Sequence, residues 1–265
     1  MKNPWLHRYC ILLAFATLLM VIVGSLVPTS GIERAHRILG MTVGTITIGL
    51  VVLLWLWEPR RWLRWLGVAA LLLVIAQGLL GALSLRLGLP YSVRILHALL
   101  AQMFFGVTAL LVLFTSSVWR QPPLCIRDSG WPTLRQLAVL TPIAVLLQAA
   151  LGAAYRHGLA GVLPHILSAM AVSLLILMLA VIVLTQHAGA APLKRPAKTL
   201  LILVLHQLPL GVLAYYLRIS SYEGSWLSLL AAAVVAAHVA VGALLMGWSA
   251  ASAAQIWKHT RPASS

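Results

Sequence analysis

Acidic residues are nearly missing from this 265-residue chain: four Asp and Glu stand against nineteen Lys and Arg. Charged residues of both signs together reach only 9%, against 62% hydrophobic residues and a mean hydropathy of +0.98. Soluble domains carry about 25% charge, so this composition excludes a water-soluble globular domain and identifies an integral membrane protein. Cysteine is equally scarce. Cys10 and Cys125 lie in or near different segments with no paired spacing, which excludes a disulfide framework and a thiolate metal site, and both read as structural. No small-residue cleavage site follows the first apolar run, and "VGSLVPTSG" leads straight into the next. The first helix is therefore expected to stay rather than to be removed as a signal peptide.

What is present is a series of apolar runs, each about 20 residues long and so able to cross a bilayer. They fall near 8–27, 35–57, 65–86, 95–118, 134–155, 163–186, 199–217 and 227–251, and predict an all-α membrane protein of eight transmembrane helices. The net charge of +15 invites a nucleic-acid reading, which its distribution excludes. Lys2, Arg8, Arg60, Arg61, Arg64, Arg120, Arg127, Arg135, Lys194, Arg195, Lys198, Lys258 and Arg261 share one set of span ends. Arg34, Arg37, Arg86, Arg94, Arg156 and Arg218 share the other. Because Lys and Arg are retained on the cytoplasmic side, the imbalance predicts that both termini are cytoplasmic, with the basic rim attracted to anionic membrane lipids.

The chain also repeats itself at an offset of about 130 residues. "AQGLLGAL" (76–83) in the third span answers "HQLPLGVL" (206–213) in the seventh, matching Gln77 to Gln207 and Gly81 to Gly211. "LQAALGAA" (147–154) in the fifth repeats the pattern through Gln148 and Gly152. His36 in the second span matches His165 in the sixth, and His97 in the fourth matches His238 in the eighth. Two pseudo-symmetric four-helix halves are predicted, 1–122 and 131–265, joined by "RQPPLCIRDSGWP". An even number of spans per half makes the repeat parallel. Gly40, Gly44, Gly81, Gly106, Gly152 and Gly242 read as contacts for close helix packing in lipid.

Ionisable groups inside a span are costly and mark functional sites. Counted from the cytoplasmic end, His36 lies 22 residues above Glu58, His97 23 above Arg120, His165 22 above His187 and His238 20 above Lys258. At about 1.5 Å per residue all four stand roughly 30–35 Å up, near the outer edge of the hydrocarbon. Bis-histidine haem ligation needs two imidazoles at equal height on facing helices, and each half supplies one such pair, His36 with His97 and His165 with His238. A lone histidine of this kind is ordinarily satisfied by an interhelical hydrogen bond; four in matched pairs favour haem iron. Zinc is disfavoured, because a structural site gathers four N or S ligands in one place and these are split between two halves. His206 lies only 11 residues above Arg195, below that plane, and reads as a buried hydrogen-bonding residue or part of a proton path. His7, His157, His187 and His259 fall at span ends or in loops and need no special role.

Glu33 precedes His36 by three residues and Arg37 by four, so the three share a helix face. A carboxylate beside one histidine pair and not the other points to chemistry in the first half and electron transfer in the second. The alternative is an interfacial ion pair with Arg34 or Arg37 at a helix N-terminus. Arg37, Arg94 and Arg34 are candidates for haem propionate contacts, since a guanidinium fork suits a carboxylate.

"IERAHR", histidines in spans 2, 4, 6 and 8, and Gln-x-x-x-Gly in spans 3, 5 and 7 together resemble the heme A synthase family over nearly the whole chain. That resemblance implies a reaction that oxidises the C8 methyl group of heme O to a formyl group, giving heme A for terminal oxidases. His36 and His97 would flank the substrate haem, His165 and His238 would ligate a resident haem b, and Glu33 would be the catalytic carboxylate. It further implies a bacterial or archaeal plasma membrane with the haem sites near the outer face. The implied partners are heme O synthase, terminal oxidase assembly factors and a second copy in a homo-oligomer. Many members carry a cysteine pair in the first external loop; here that loop is "VPTSG" without cysteine. His206 also departs from the family pattern. A diheme b-type electron-transfer protein and a parallel-repeat transporter are the competing readings.

Overall fold

A computed structural model describes residues 4–30, 32–87, 90–220 and 226–262. Eight helices follow one another: α1 (Pro4–Ser30), α2 (Glu33–Trp57), α3 (Arg61–Leu87), α4 (Tyr91–Thr115), α5 (Leu134–Arg156), α6 (Val162–Gln186), α7 (Ala191–Ser220) and α8 (Trp226–His259). All eight are long and apolar enough to cross a membrane. Several run past the apolar stretches on which the sequence predicts them: α7 begins at Ala191 and α8 ends at His259. Lys194, Arg195 and Lys198 continue α7 without interruption, because basic side chains reach the headgroup level while their backbone stays helical.

Neighbouring helices pack in two rings. α1 touches α2, α2 touches α3, α3 touches α4, and α4 closes back on α1; α5 through α8 close in the same cyclic order. Each ring has its own apolar core, one from Leu13, Leu50, Leu54, Leu63 and Leu111, the other from Leu137, Ile176, Leu179, Leu200 and Ile256. α8 also packs on α1 and α4, and α4 on α5, which joins the rings. Hydroxyl groups within the spans turn back onto their own helix: Thr17 donates to Leu13 O, Thr47 to Val43 O and Thr141 to Leu137 O, each at 2.7 Å. Lipid offers no partner, so a donor must be satisfied inside the bundle.

The segment between the rings is built into the end of the bundle where both termini lie. β1 (Ile126–Asp128) pairs in parallel with β2 (Thr260–Pro262), Ile126 opposite Thr260. The buried Asp128 carboxylate accepts from Leu134 N at 2.9 Å and Arg135 N at 3.0 Å, taking up free donors at the start of α5. Thr133 and Gln136 complete a capping box there. Arg135 stacks on Trp257 at 4.5 Å and donates to Thr260 O at 2.5 Å. His259, fully buried, accepts from Leu124 N at 3.1 Å, and Lys258 Nζ donates to Gln121 O at 2.6 Å. Arg8 over Trp5, Arg64 over Trp55 and Lys258 over Trp119 form a basic and aromatic belt at this end. Cys10 is buried and Cys125 exposed, and both are free, so no disulfide forms.

At the α2–α3 turn, buried Glu58 takes two bonds from Arg60, Nε to Oε1 at 2.6 Å and Nη2 to Oε2 at 2.9 Å. Burial pushes its carboxyl upward, but the Arg60 hydrogen bonds and charge, with Arg120 beyond, outweigh this and hold it below the ordinary value. A carboxyl depressed on folding contributes stability above its unfolded pKa, near 4.5, and that contribution is lost as pH falls through the folded value. Thermal unfolding in detergent is expected to show a fall in Tm below about pH 4.5 that is shallower in Glu58→Gln. Asp128→Ala, which leaves two helix-start donors buried without an acceptor, is expected to lose about 1–3 kcal/mol at neutral pH in the same measurement.

Candidate functional site

α2 and α4 stand diagonally across the first ring, and α6 and α8 diagonally across the second, as the order of neighbours requires. Each diagonal brings two imidazoles together. His36 and His97 have ring centroids 6.5 Å apart with planes at 66°, and His165 and His238 have centroids 6.3 Å apart with planes at 80°. A metal–imidazole bond of about 2 Å on each side, plus about 1 Å from each nitrogen to its ring centre, places two trans imidazoles roughly 6 Å apart. Both pairs have that separation. The packed core of the first ring begins only beyond them: Val43 lies seven residues past His36 and Phe104 seven past His97.

Every imidazole rests against a glycine on the preceding helix. A Cβ added to Gly24 on α1 would meet His36 Cε1 at 2.9 Å, and one on Gly81 of α3 would meet His97 Cε1 at 3.5 Å. The corresponding distances are 2.8 Å from Gly152 of α5 to His165 and 3.0 Å from Gly211 of α7 to His238. Of the glycines read from sequence as packing contacts, Gly81 and Gly152 set how closely an imidazole lies on its neighbour, whereas a Cβ on Gly44 would meet nothing within 4 Å; Gly24 and Gly211 are not among them. Glutamines one turn deeper reach across to another helix. Gln77 Nε2 donates to His97 O at 2.6 Å, Gln148 Nε2 donates to His165 O at 2.9 Å, and Gln207 Nε2 lies 3.3 Å from His238 Nε2.

The residues fit a haem on three counts. Nδ1 of His36, His97 and His238 is buried with no hydrogen-bond partner, an uncommon state for a polar atom and one to be accounted for. Among the described residues no group of three or more His, Cys, Asp or Glu forms a metal cluster, so each pair offers two nitrogens and needs a ligand that brings the rest. Iron in a porphyrin takes two axial imidazoles, whereas structural zinc takes four protein ligands.

Glu33 opens α2 and is half-buried, while Arg34 and Arg37 are exposed. Glu33 forms no ion pair with either arginine among the described residues, where the ion pair is that of Arg60 with Glu58. Arg94 lies one turn before His97 and over the Tyr91 ring at 5.1 Å. Tyr91 stacks on His157 at 6.3 Å. The next two residues back along α5 bind other helices: Arg156 donates to Ser25 O on α1, and Tyr155 carries Arg218 of α7 at 4.9 Å. His157, read from sequence as idle, therefore helps tie the rings together. Its burial, and then the charges of Arg156, Arg94 and Arg218, hold its pKa below the ordinary value. His7 similarly bonds Thr115 Oγ1 at 3.0 Å.

His206 is not the buried residue its position implies. It is exposed on α7, with Nδ1 2.8 Å from Ile202 O of its own helix, so its hydrogen bond is local. Sequence reading also passes over Gly24 and Met20, because α1 has Met20 where the other hairpins have Gln. The only signal was a glycine preceding His36, with no glutamine to mark its register.

Gly152→Ala places a methyl group against His165, whereas a Cβ on Gly44 meets nothing within 4 Å. Gly152→Ala is expected to lower the haem content of purified protein several-fold, and Gly44→Ala to leave it unchanged, as read from the visible spectrum. Equal haem in both variants would show that the His165 ring position is not set by this contact.

A search of curated proteins finds no match. A family model described as cytochrome oxidase assembly protein, COX15-CtaA, matches residues 30–167. That stretch includes Glu33, His36, His97 and His165, and leaves His238 outside. It spans more than half of the 265 residues, and the chain belongs to the COX15-CtaA cytochrome oxidase assembly protein family.

Proposed function

We propose that this protein is a heme A synthase, oxidising the C8 methyl group of heme O to a formyl group in the membrane for terminal oxidase biogenesis. The observation that carries the reading is the two facing histidine pairs, with ring centroids 6.5 and 6.3 Å apart, in a chain of the COX15-CtaA family. In this reading residues 1–122 form the catalytic half and 131–265 the electron-transfer half, with both termini cytoplasmic and the histidines toward the outer face. His165 and His238 hold a resident haem b, and His36 and His97 hold heme O as substrate.

Bound haem would supply a redox-active iron, and the chain supplies the rest. His36 and His97, pressed against Gly24 and Gly81, fix the plane of the substrate. Arg37 and Arg94, both exposed at the same end of the bundle, bind propionates as charged forks. Glu33, half-buried three residues before His36, holds or moves a proton at its carboxyl oxygen. Exposed apolar faces such as Leu79 and Leu96 suit lateral entry of a farnesyl-bearing substrate from lipid. Heme O synthase would deliver that substrate and oxidase assembly factors would take the product, with a homo-oligomer as a further expectation.

The near equality of the two pair spacings favours one second reading, a diheme b-type cytochrome without haem-modifying chemistry. Co-expression with a heme O synthase, purification in detergent and mass analysis of the extracted haems separates the two. Haem b together with heme O, a hydroxylated heme O or heme A supports the synthase, and haem b alone supports the cytochrome. Glu33→Gln is expected to retain both haems and to lower heme A formation at least about a hundredfold; undiminished formation would remove Glu33 from the chemistry.

A further inference from the structure

The four histidine hairpins differ at one position. Four residues before Gly81, Gly152 and Gly211 stand Gln77, Gln148 and Gln207, and four before Gly24 stands Met20. The register of Met20 is that of the glutamines. Its Cε lies 3.1 Å from where a Cβ would stand on Gly40, four residues after His36. Gln207 Nε2 lies 3.4 Å from the same point on Gly242, four residues after His238. Gln77 and Gln148 donate to the backbone carbonyls of His97 and His165, and Gln148 Nε2 is also 3.0 Å from His165 Nδ1. A thioether has no proton to donate, and among the described residues no side chain of α1 hydrogen-bonds to His36.

A polar contact behind a ligand fixes its orientation, and its removal weakens metal binding by about 10- to 100-fold. Methionine, with three rotatable bonds, fills the space without imposing a direction. Three of the four histidines are thus tied through their own backbone or ring to a carboxamide, while among the described residues no carboxamide meets His36.

Building on the function proposed above, we propose that Met20 leaves His36 the one unbraced ligand of the four, so that haem bound by His36 and His97 exchanges while haem bound by His165 and His238 is retained. Met20, Gln77 and Gln148 are positioning residues in this scheme. The asymmetry suits a site whose haem arrives as substrate and departs as product, beside one whose haem stays.

The test follows haem loss from protein purified after co-expression with a heme O synthase, using excess apomyoglobin as acceptor, with the low-temperature EPR spectrum of the ferric protein recorded alongside. Wild type is expected to lose haem in two phases, the first-site phase at least about tenfold faster. Met20→Gln is expected to slow that fast phase about three- to tenfold, as one added hydrogen bond would, and to shift the first-site EPR g values. Met20→Leu is expected to change neither, and Gln148→Leu to speed the slow phase. A single phase in wild type, or a fast phase and g values unmoved in Met20→Gln, overturns the inference while leaving the synthase reading in place. Wild type without any haem overturns the synthase reading and the inference with it. Should Met20→Gln fail to accumulate in the membrane, Gln77→Leu decides: it must speed the fast phase, and an unchanged rate overturns the inference.

Discussion

Two imidazoles must meet across the middle of a four-helix ring, and the rest of the molecule is arranged around that demand. The main packing of each ring runs between neighbouring helices rather than across the diagonal, so the separation of facing histidines is set largely by the helices between them. Glycines on α1, α3, α5 and α7 let the Cε1 edge of each imidazole approach the neighbouring helix closely, and an alanine at Gly24, Gly152 or Gly211 would force that contact to shift. The apolar cores around Leu50, Leu54 and Leu111 in one ring, and around Ile176, Leu179 and Leu200 in the other, hold the opposite end of each bundle closed.

The membrane explains how polar groups are distributed within that frame. Lipid supplies no hydrogen bonds, so each polar side chain in a span either bonds its own helix or bonds a neighbour. Threonines at Thr17, Thr47 and Thr141 take the first course. Gln77 and Gln148 take the second, each at the level of a histidine. Both glutamine contacts thus fall on the helices that carry the facing histidines.

Charge is handled at the two ends in different ways. At the end bearing the termini, Glu58 and Asp128 are buried and answered, one by Arg60 and one by the start of α5. The segment joining the two rings is consequently not a loose linker: Asp128, Arg135, Lys258 and His259 lock it to the chain terminus. At the opposite end Arg94, Arg156 and Arg218 gather around Tyr91, Tyr155 and His157, and the second half meets the first there through Arg156 and Ser25.

The sequence by itself determined the membrane class, the eight spans and the four histidines standing at one level, because length, hydropathy and residue depth along a helix are local quantities that survive without tertiary information. Glu33 was singled out in the same way, from its spacing to His36. Only the tertiary structure decided the rest. Which histidine faces which depends on the cyclic order of helices, and the contact of Gly24 with His36 joins residues separated by a turn whose length differs from hairpin to hairpin. The exposure of His206 and the bracing by His157 and His259 depend on how helices rotate against one another, which an evenly apolar helix such as α8 does not encode. Met20 became visible only as the exception to a contact that its three counterparts make, and a contact across helices exists only once the helices are packed.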